Sequence, residues 1–304
     1  MFRFRFTTAF FLLGALCAGT TAGLHSCSPA RQTSNPVTAA PAATPAAPPR
    51  VLVFSRTKGW KHTSIPHGMA AIGQMGREHN FAVDTTRDAA YFTDDSLRRY
   101  AAVVFNCTTG NVLNAAQQAA FERYIQAGGG YVGIHSAADT EYEWPWYGKL
   151  MGAHFANHPS NPSDRTGAID VLDKNHPSTA GLPDRWERFD EWYSYRSFYP
   201  GIQVLMNLDE NSYDNGTNGA NHPIAWYHNF DGGRAFYTGL GHTPESYQEP
   251  LFLGHLWGGL RYAMGGNQPL DYAKAYSVPT PEENRFVKTI LVNDLDTPME
   301  LAVA

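Results

Sequence analysis

From residue 50 onward, short apolar runs alternate with segments whose apolar positions recur at helical spacing. Arg50-Val51-Leu52-Val53-Phe54-Ser55 is a β-branched run suited to a strand buried on both faces. Ser64 then stands as an N-cap, Pro66 falls in the first turn, and Met69, Ile72 and Met75 repeat up to Gly76, which predicts a helix. The unit returns twice. Residues 81–84 predict a short strand, 95–100 a short helix and 102–106 a second buried strand. Asn114 with Gln117 three residues on is a capping-box pattern, opening a helix through Phe121, Tyr124 and Ile125 that stops at Gly128-Gly129-Gly130. Residues 131–135 read as another buried strand, so this stretch alternates β and α as a doubly wound α/β domain with a mostly parallel sheet does.

Further strands are predicted at 168–172, 203–208 and 223–227, the last joined to 234–239 through Asp231-Gly232-Gly233, a strong hairpin turn signal. A last helix over about 250–264 carries Leu253, Leu256, Trp257 and Leu260 as an apolar stripe for the core. No internal repeat interrupts this order.

The flanks differ in composition. Arg3 and Arg5 precede an apolar run over 9–18, the layout of a secretory signal peptide and too short to span a bilayer. Leu24-His25-Ser26-Cys27 resembles a bacterial lipobox, which implies processing after residue 26 and lipidation of Cys27, with the protein held in the cell envelope, periplasmic or anchored at the outer membrane. Residues 27–49 are rich in Pro, Ala and Thr and read as a disordered tether. The globular part runs over 50–265, and 266–304 form a C-terminal extension with a strand-like run at 285–292.

Net charge narrows the partners. Lys and Arg number 23 against 28 Asp and Glu, a balance of −5, which argues against a nucleic-acid or polybasic membrane-surface binder and leaves membrane contact to the lipid anchor. The expected partner is small. After processing, Cys107 is the one remaining thiol of the three cysteines, so no disulfide framework forms; at the end of an apolar run it reads as a packed structural thiol.

Walker A, G-x-G-x-x-G, C-x-x-C, H-E-x-x-H and G-x-S-x-G patterns are all missing from the sequence. What remains is an excess of histidines and rings at predicted strand ends. His62 lies in the loop after the first strand and His135 ends the strand at 131–135, so both face the carboxyl edge where such sheets gather function. His242 directly follows the strand at 234–239, and Glu191 sits beside aromatics in Asp190-Glu191-Trp192-Tyr193. Each could act as acid or base, and the histidines as ligands of a divalent metal such as zinc. His154 and His158 stand four apart, but Pro159 disfavours the helix that would pair them on zinc. Trp60, Asp139, Tyr142, Trp144 and Trp192 are candidate substrate-binding residues, rings that would stack on sugar faces.

These pieces in this order, Trp60-Lys61-His62, Gly133-Ile134-His135-Ser136-Ala137, Gly152 through His158-Pro159, Asp190-Glu191, His222-Pro223, Trp226 and Gly233-Arg234 through Gly241-His242, resemble the ThuA-like trehalose-utilisation family. The resemblance covers about 50–265 and implies a flavodoxin-like, class I glutamine amidotransferase-like three-layer fold. Amidotransferases of that fold carry a cysteine nucleophile on the elbow after the central strand; His135 stands there instead, so glutamine amide transfer is not expected. The resemblance further implies carbohydrate catabolism, with keto sugars or oxidised disaccharides as substrates. His62, His135, Glu191 and His242 would form the site of a keto-glycoside lyase, hydrolase or isomerase. The alternative is a non-catalytic sugar-binding module, or one that binds a sugar dehydrogenase. The second of these is suggested by the tail, which resembles the start of a dehydrogenase-like β-propeller.

Overall fold

A computed structural model describes residues 47–279 of the chain. The predicted signal segment, Cys27, most of the tether and the strand-like run at 285–292 lie outside the described residues. Among the described residues, no helix is long and apolar enough to cross a membrane.

Nine strands form one sheet. β1 (Arg50–Phe54), β2 (Ala82–Thr86), β3 (Ala102–Asn106) and β4 (Gly130–Ile134) run parallel, and β11 (Gly233–Thr238) joins them parallel to β4. β10 (Pro223–Phe230), β9 (Gln203–Asp209), β6 (Asp164–Val171) and β7 (Arg185–Glu191) continue antiparallel, giving the order β2-β1-β3-β4-β11-β10-β9-β6-β7. β5 (His154–Asn157) and β8 (Ser194–Arg196) make a separate antiparallel pair. The Asp231-Gly232 turn between β10 and β11 has positive φ at both residues, 48° and 91°, as a two-residue hairpin of this hand requires.

Five α-helices are described: α1 (Ile65–Glu78), α2 (Asp94–Leu97), α3 (Ala115–Gln126), α4 (Pro145–Met151) and α5 (Pro250–Met264). Side chains alternate across a strand, and this sorts the helices by face. Phe105 packs on Phe121 of α3 and Tyr147 of α4, whereas its neighbour Asn106 donates to the carbonyl of Ile65 at the start of α1. On the same side as Asn106, the Phe236 ring lies so close to α5 that Gly259 has no room for a Cβ. The outcome is the three-layer arrangement expected, with Val51 to Phe54, Ala102 to Phe105 and the rings of Phe121, Tyr131 and Phe236 buried between.

The local signals act largely as read. Asn114 and Gln117 close a reciprocal capping box on α3, and α5 spans the anticipated residues. Ser64 precedes α1 without capping it through its side chain; its hydroxyl faces the Cys107 sulfur instead. The first part of the C-terminal extension packs on α3, where Gln126 accepts from the Tyr276 and Ser277 amides.

The antiparallel half curls. β7 is five strand positions from β4, about 24 Å on a flat sheet at ~4.8 Å per strand, yet Glu191 at the end of β7 lies 3.2 Å from His135 just after β4. Buried Asp190 makes the closure: its carboxylate accepts from the amides of Gly241 and His242 beyond β11, at 2.9 and 3.0 Å, and pairs with the buried Arg188 guanidinium at 3.0 Å.

Candidate active site

Four side chains meet where the curled edge returns to the carboxyl ends of the parallel strands. His135 opens the turn after β4 with φ of 49°, a left-handed backbone uncommon outside glycine that aims its ring across the edge. The loop bearing His62 is tied to the segment after β3: Thr109 donates from Oγ1 to the Trp60 carbonyl at 2.9 Å and accepts from the Gly59 amide at 3.1 Å. His242 follows β11 on the backbone that Asp190 holds, and Glu191 ends β7.

His135 Nε2, His242 Nδ1 and Glu191 Oε2 form a triangle with edges of 3.0, 3.0 and 3.2 Å. The tautomers follow from the outer partners. His135 Nδ1 lies 3.0 Å from the Gly239 carbonyl, which only accepts, so Nδ1 carries the proton and Nε2 is bare. His242 Nε2 lies 3.3 Å from Asp164 Oδ1, which favours a proton there and a bare Nδ1. Three lone pairs therefore converge on one point, and a proton or a cation must lie between them. Ligands in a tetrahedral zinc site at 2.0–2.1 Å stand about 3.3 Å apart, close to the edges found. His62 brings a fourth donor, all four lying within 4.8 Å of one another.

Electrostatics bear on whether a proton or a cation takes that point. Burial, reinforced by His135 and His242, pushes the His62 imidazole down to about 2, so it stays neutral and keeps one bare ring nitrogen. Its Nδ1 sits 3.2 Å from Ser136 Oγ. Burial works against the charge of Glu191, but His135 and His242 outweigh it and hold the carboxyl below its ordinary range. Burial likewise opposes the His242 imidazolium, and Glu191 with Asp164 and Asp190 reverses the balance, raising it.

A cavity of about 400 Å³ opens over the cluster, lined by Trp60, His62, Asp139, Phe155, His158 and Tyr193 among others. Trp60 is 73% exposed at this cavity, and Tyr193 lies against His135 with centroids 4.2 Å apart. A larger groove of about 550 Å³ between α1 and α5, lined by Met75, Leu253 and Trp257, lies away from the cluster and carries no comparable convergence of donors.

Not every expected residue reaches the cavity. Trp192 is fully buried, with Nε1 donating to the Arg165 carbonyl, and Trp144 stacks on Trp146 and Tyr147 while donating to Glu122; both are core rings, a correction to their expected role. Tyr142 stands behind the wall, donating to Asp139 at 2.6 Å. His154 and His158 do not share a helix: His154 is in β5 and His158 follows it, its Nδ1 bonding to the Pro159 carbonyl and standing 3.6 Å from Glu191. His176 and His222 are structural, bonded to Ser178 and to Glu210 with the Tyr193 carbonyl. Sequence reasoning missed His158, Tyr193, Phe155 and Asp164. His158 was read as a turn because of the following proline, and Tyr193 was seen only as one ring of the aromatic run beside Glu191.

Comparison with known proteins fits this picture. Residues 50–263 match a family model described as ThuA, trehalose utilisation. A ThuA-like protein of Bacteroides uniformis shares the fold with a TM-score of 0.61 at 24% identity, over 74% of this chain and 95% of its own. Another, of Parabacteroides merdae, gives 0.57 at 22%, over 72% and 91%. No curated protein matches the chain.

Proposed function

The chain belongs to the ThuA, trehalose-utilisation family, and from that premise we propose that it is an envelope lipoprotein acting on a keto sugar or oxidised disaccharide by acid–base chemistry. His62, His135, Glu191 and His242 hold a divalent cation in this reading, and zinc suits the donor set of three imidazoles and a carboxylate. The observation that carries it is the meeting of His135 Nε2, His242 Nδ1 and Glu191 Oε2 at 3.0–3.2 Å, with a donor atom of His62 within 4.8 Å of all three. Bound there with a coordination position left open or a fifth one gained, the cation would supply Lewis-acid polarisation of a sugar carbonyl.

The protein groups do the rest. The Gly239 carbonyl and Asp164 orient the two imidazoles from behind, the usual outer support of ligating histidines. Trp60 offers an exposed ring for a sugar face, Asp139 takes a hydroxyl or a proton, and Tyr142 holds Asp139 in place. A keto group acidifies the neighbouring C–H, so a positioned base and acid open enolisation, epimerisation or loss of the glycosidic oxygen. Glutamine amide transfer lacks a nucleophile: the elbow residue is an imidazole, and burial pushes the Cys107 thiol up to about 12, far from a thiolate.

The test is elemental analysis of the full-length protein together with mass spectrometry of keto and unoxidised disaccharides incubated with it. We expect about one divalent ion per chain and turnover of the keto sugars alone, abolished by chelator and by His135→Ala. Sugar binding with neither metal nor turnover would instead favour a non-catalytic sugar-binding module, and copurification of a sugar dehydrogenase a partner-binding one.

A further inference from the structure

If the four donors are spent on a cation, the proton must be moved by another group in the same cavity. The cavity wall holds two carboxylates, Asp139 and Glu191. Glu191 Oε2 is committed to His135 and His242, and its Oε1 faces His158. Asp139 is differently placed. It ends the single 3-10 turn that His135 begins, so the segment that aims the elbow imidazole also carries this carboxylate. Its Oδ1 accepts from the Tyr142 hydroxyl at 2.6 Å, and among the described residues no group bonds Oδ2. Tyr142 is itself steadied by the Arg196 guanidinium over its ring at 5.4 Å. One oxygen anchored and one free is the geometry of a carboxylate that exchanges a proton without swinging away.

We infer that Asp139 is the catalytic base of this site, taking the proton from the carbon next to the sugar carbonyl and returning it to the departing glycosidic oxygen, with Tyr142 as the residue that positions it. The inference rests on the keto-sugar reading above. In the first step Asp139 Oδ2 bonds the proton, the C–H electron pair becomes a carbon–carbon π bond, and the carbonyl π pair moves to oxygen. In the second the carbonyl re-forms, the π pair shifts to the glycosidic carbon, the carbon–oxygen bond breaks with its pair on oxygen, and the Asp139 carboxyl gives that oxygen the proton. No oxidant or reductant is needed. Burial raises the Asp139 carboxyl above its ordinary range, and the Tyr142 hydrogen bond offsets part of that rise.

The experiment uses the full-length protein and a mono-keto trehalose in D2O, with deuterium uptake beside the carbonyl read by mass spectrometry, alongside metal content and sugar binding. Wild type should exchange and eliminate. Asp139→Asn should lose exchange by roughly 10²–10⁴-fold while keeping its metal and its affinity for the sugar within a few-fold. Tyr142→Phe should exchange more slowly but measurably, with the acid limb of its rate profile moved to higher pH because the bond that favours the ionised carboxylate is gone. Retained exchange in Asp139→Asn overturns the inference, as does an unmoved acid limb in Tyr142→Phe. Loss of exchange in His158→Gln with Asp139→Asn still active would assign the proton to His158 instead. A wild-type protein that binds metal and sugar yet never exchanges deuterium removes the parent reading, and this one with it.

Discussion

Asp164 touches no part of the donor triangle, yet it decides which nitrogen His242 offers. With Oδ1 3.3 Å from Nε2, it keeps the proton on the far side of the ring. Asp164→Ala should therefore weaken cation binding by about 10–100-fold, measured by chelator competition, without altering the fold. Buried histidines elsewhere shape stability instead. Burial pushes His255 down to about 3 and His176 to about 4, and His255 Nδ1 is spent on the Ser178 carbonyl. Below the ordinary imidazole range of about 6.5 the unfolded chain takes up protons that the folded one refuses, so stability falls as pH falls from there toward 4. Each such group contributes a slope of about 1.4 kcal/mol per pH unit; urea unfolding at pH 7 and 5 should show the loss, and His255→Gln should flatten it. At this scale the sequence pointed to His62, His135 and His242 because each stands at a predicted strand end or in the loop that follows one, and to Glu191 only because it is an acid set among aromatic residues. It did not reveal Asp164, whose partnership exists only once the sheet curls. It misdirected Trp144 and Trp192, since a dense run of rings reads alike whether it lines a sugar site or fills a core.

Elements whose signals are local were the legible ones. The capping box at Asn114 and Gln117 depends on four consecutive residues, and both of its hydrogen bonds are present, at 3.0 Å each. Asn114→Ala should cost about 1 kcal/mol, seen as a lower denaturant midpoint at unchanged slope, with sugar turnover intact. β7 was invisible for the opposite reason. Its buried positions are Trp186, Arg188, Asp190 and Glu191, while Phe189 among them is 52% exposed, so hydrophobicity does not track the pleat. The charged pair is buried because Arg188 and Asp190 complete the closure against the loop after β11, a contact that no local periodicity encodes. α4 and the β5–β8 pair are short, and their ends are set by Gly152 and by neighbours distant in sequence.

On the scale of the molecule, the site draws one residue from after β1, one from after β4, one from after β11 and one from the end of β7, so it exists only when both halves of the sheet are in place. The halves are not equally secure. β4 lies inside the sheet and β7 at its margin, and marginal strands open at lower free energy than central ones. When β7 opens it carries Glu191 away, and with it the strand register that sets Asp164 beside Glu191. A bound ion would thus be a clasp fastening the margin to the centre. Zinc at about 100 times its dissociation constant should slow hydrogen exchange of the β7 amides by about 100-fold, the equivalent of ~2.7 kcal/mol, while the β4 amides, which exchange through deeper unfolding, respond less. Starving the protein of the ion would then loosen one border of the sheet first, and the earliest proteolytic nick would fall beside β7 rather than in the parallel half.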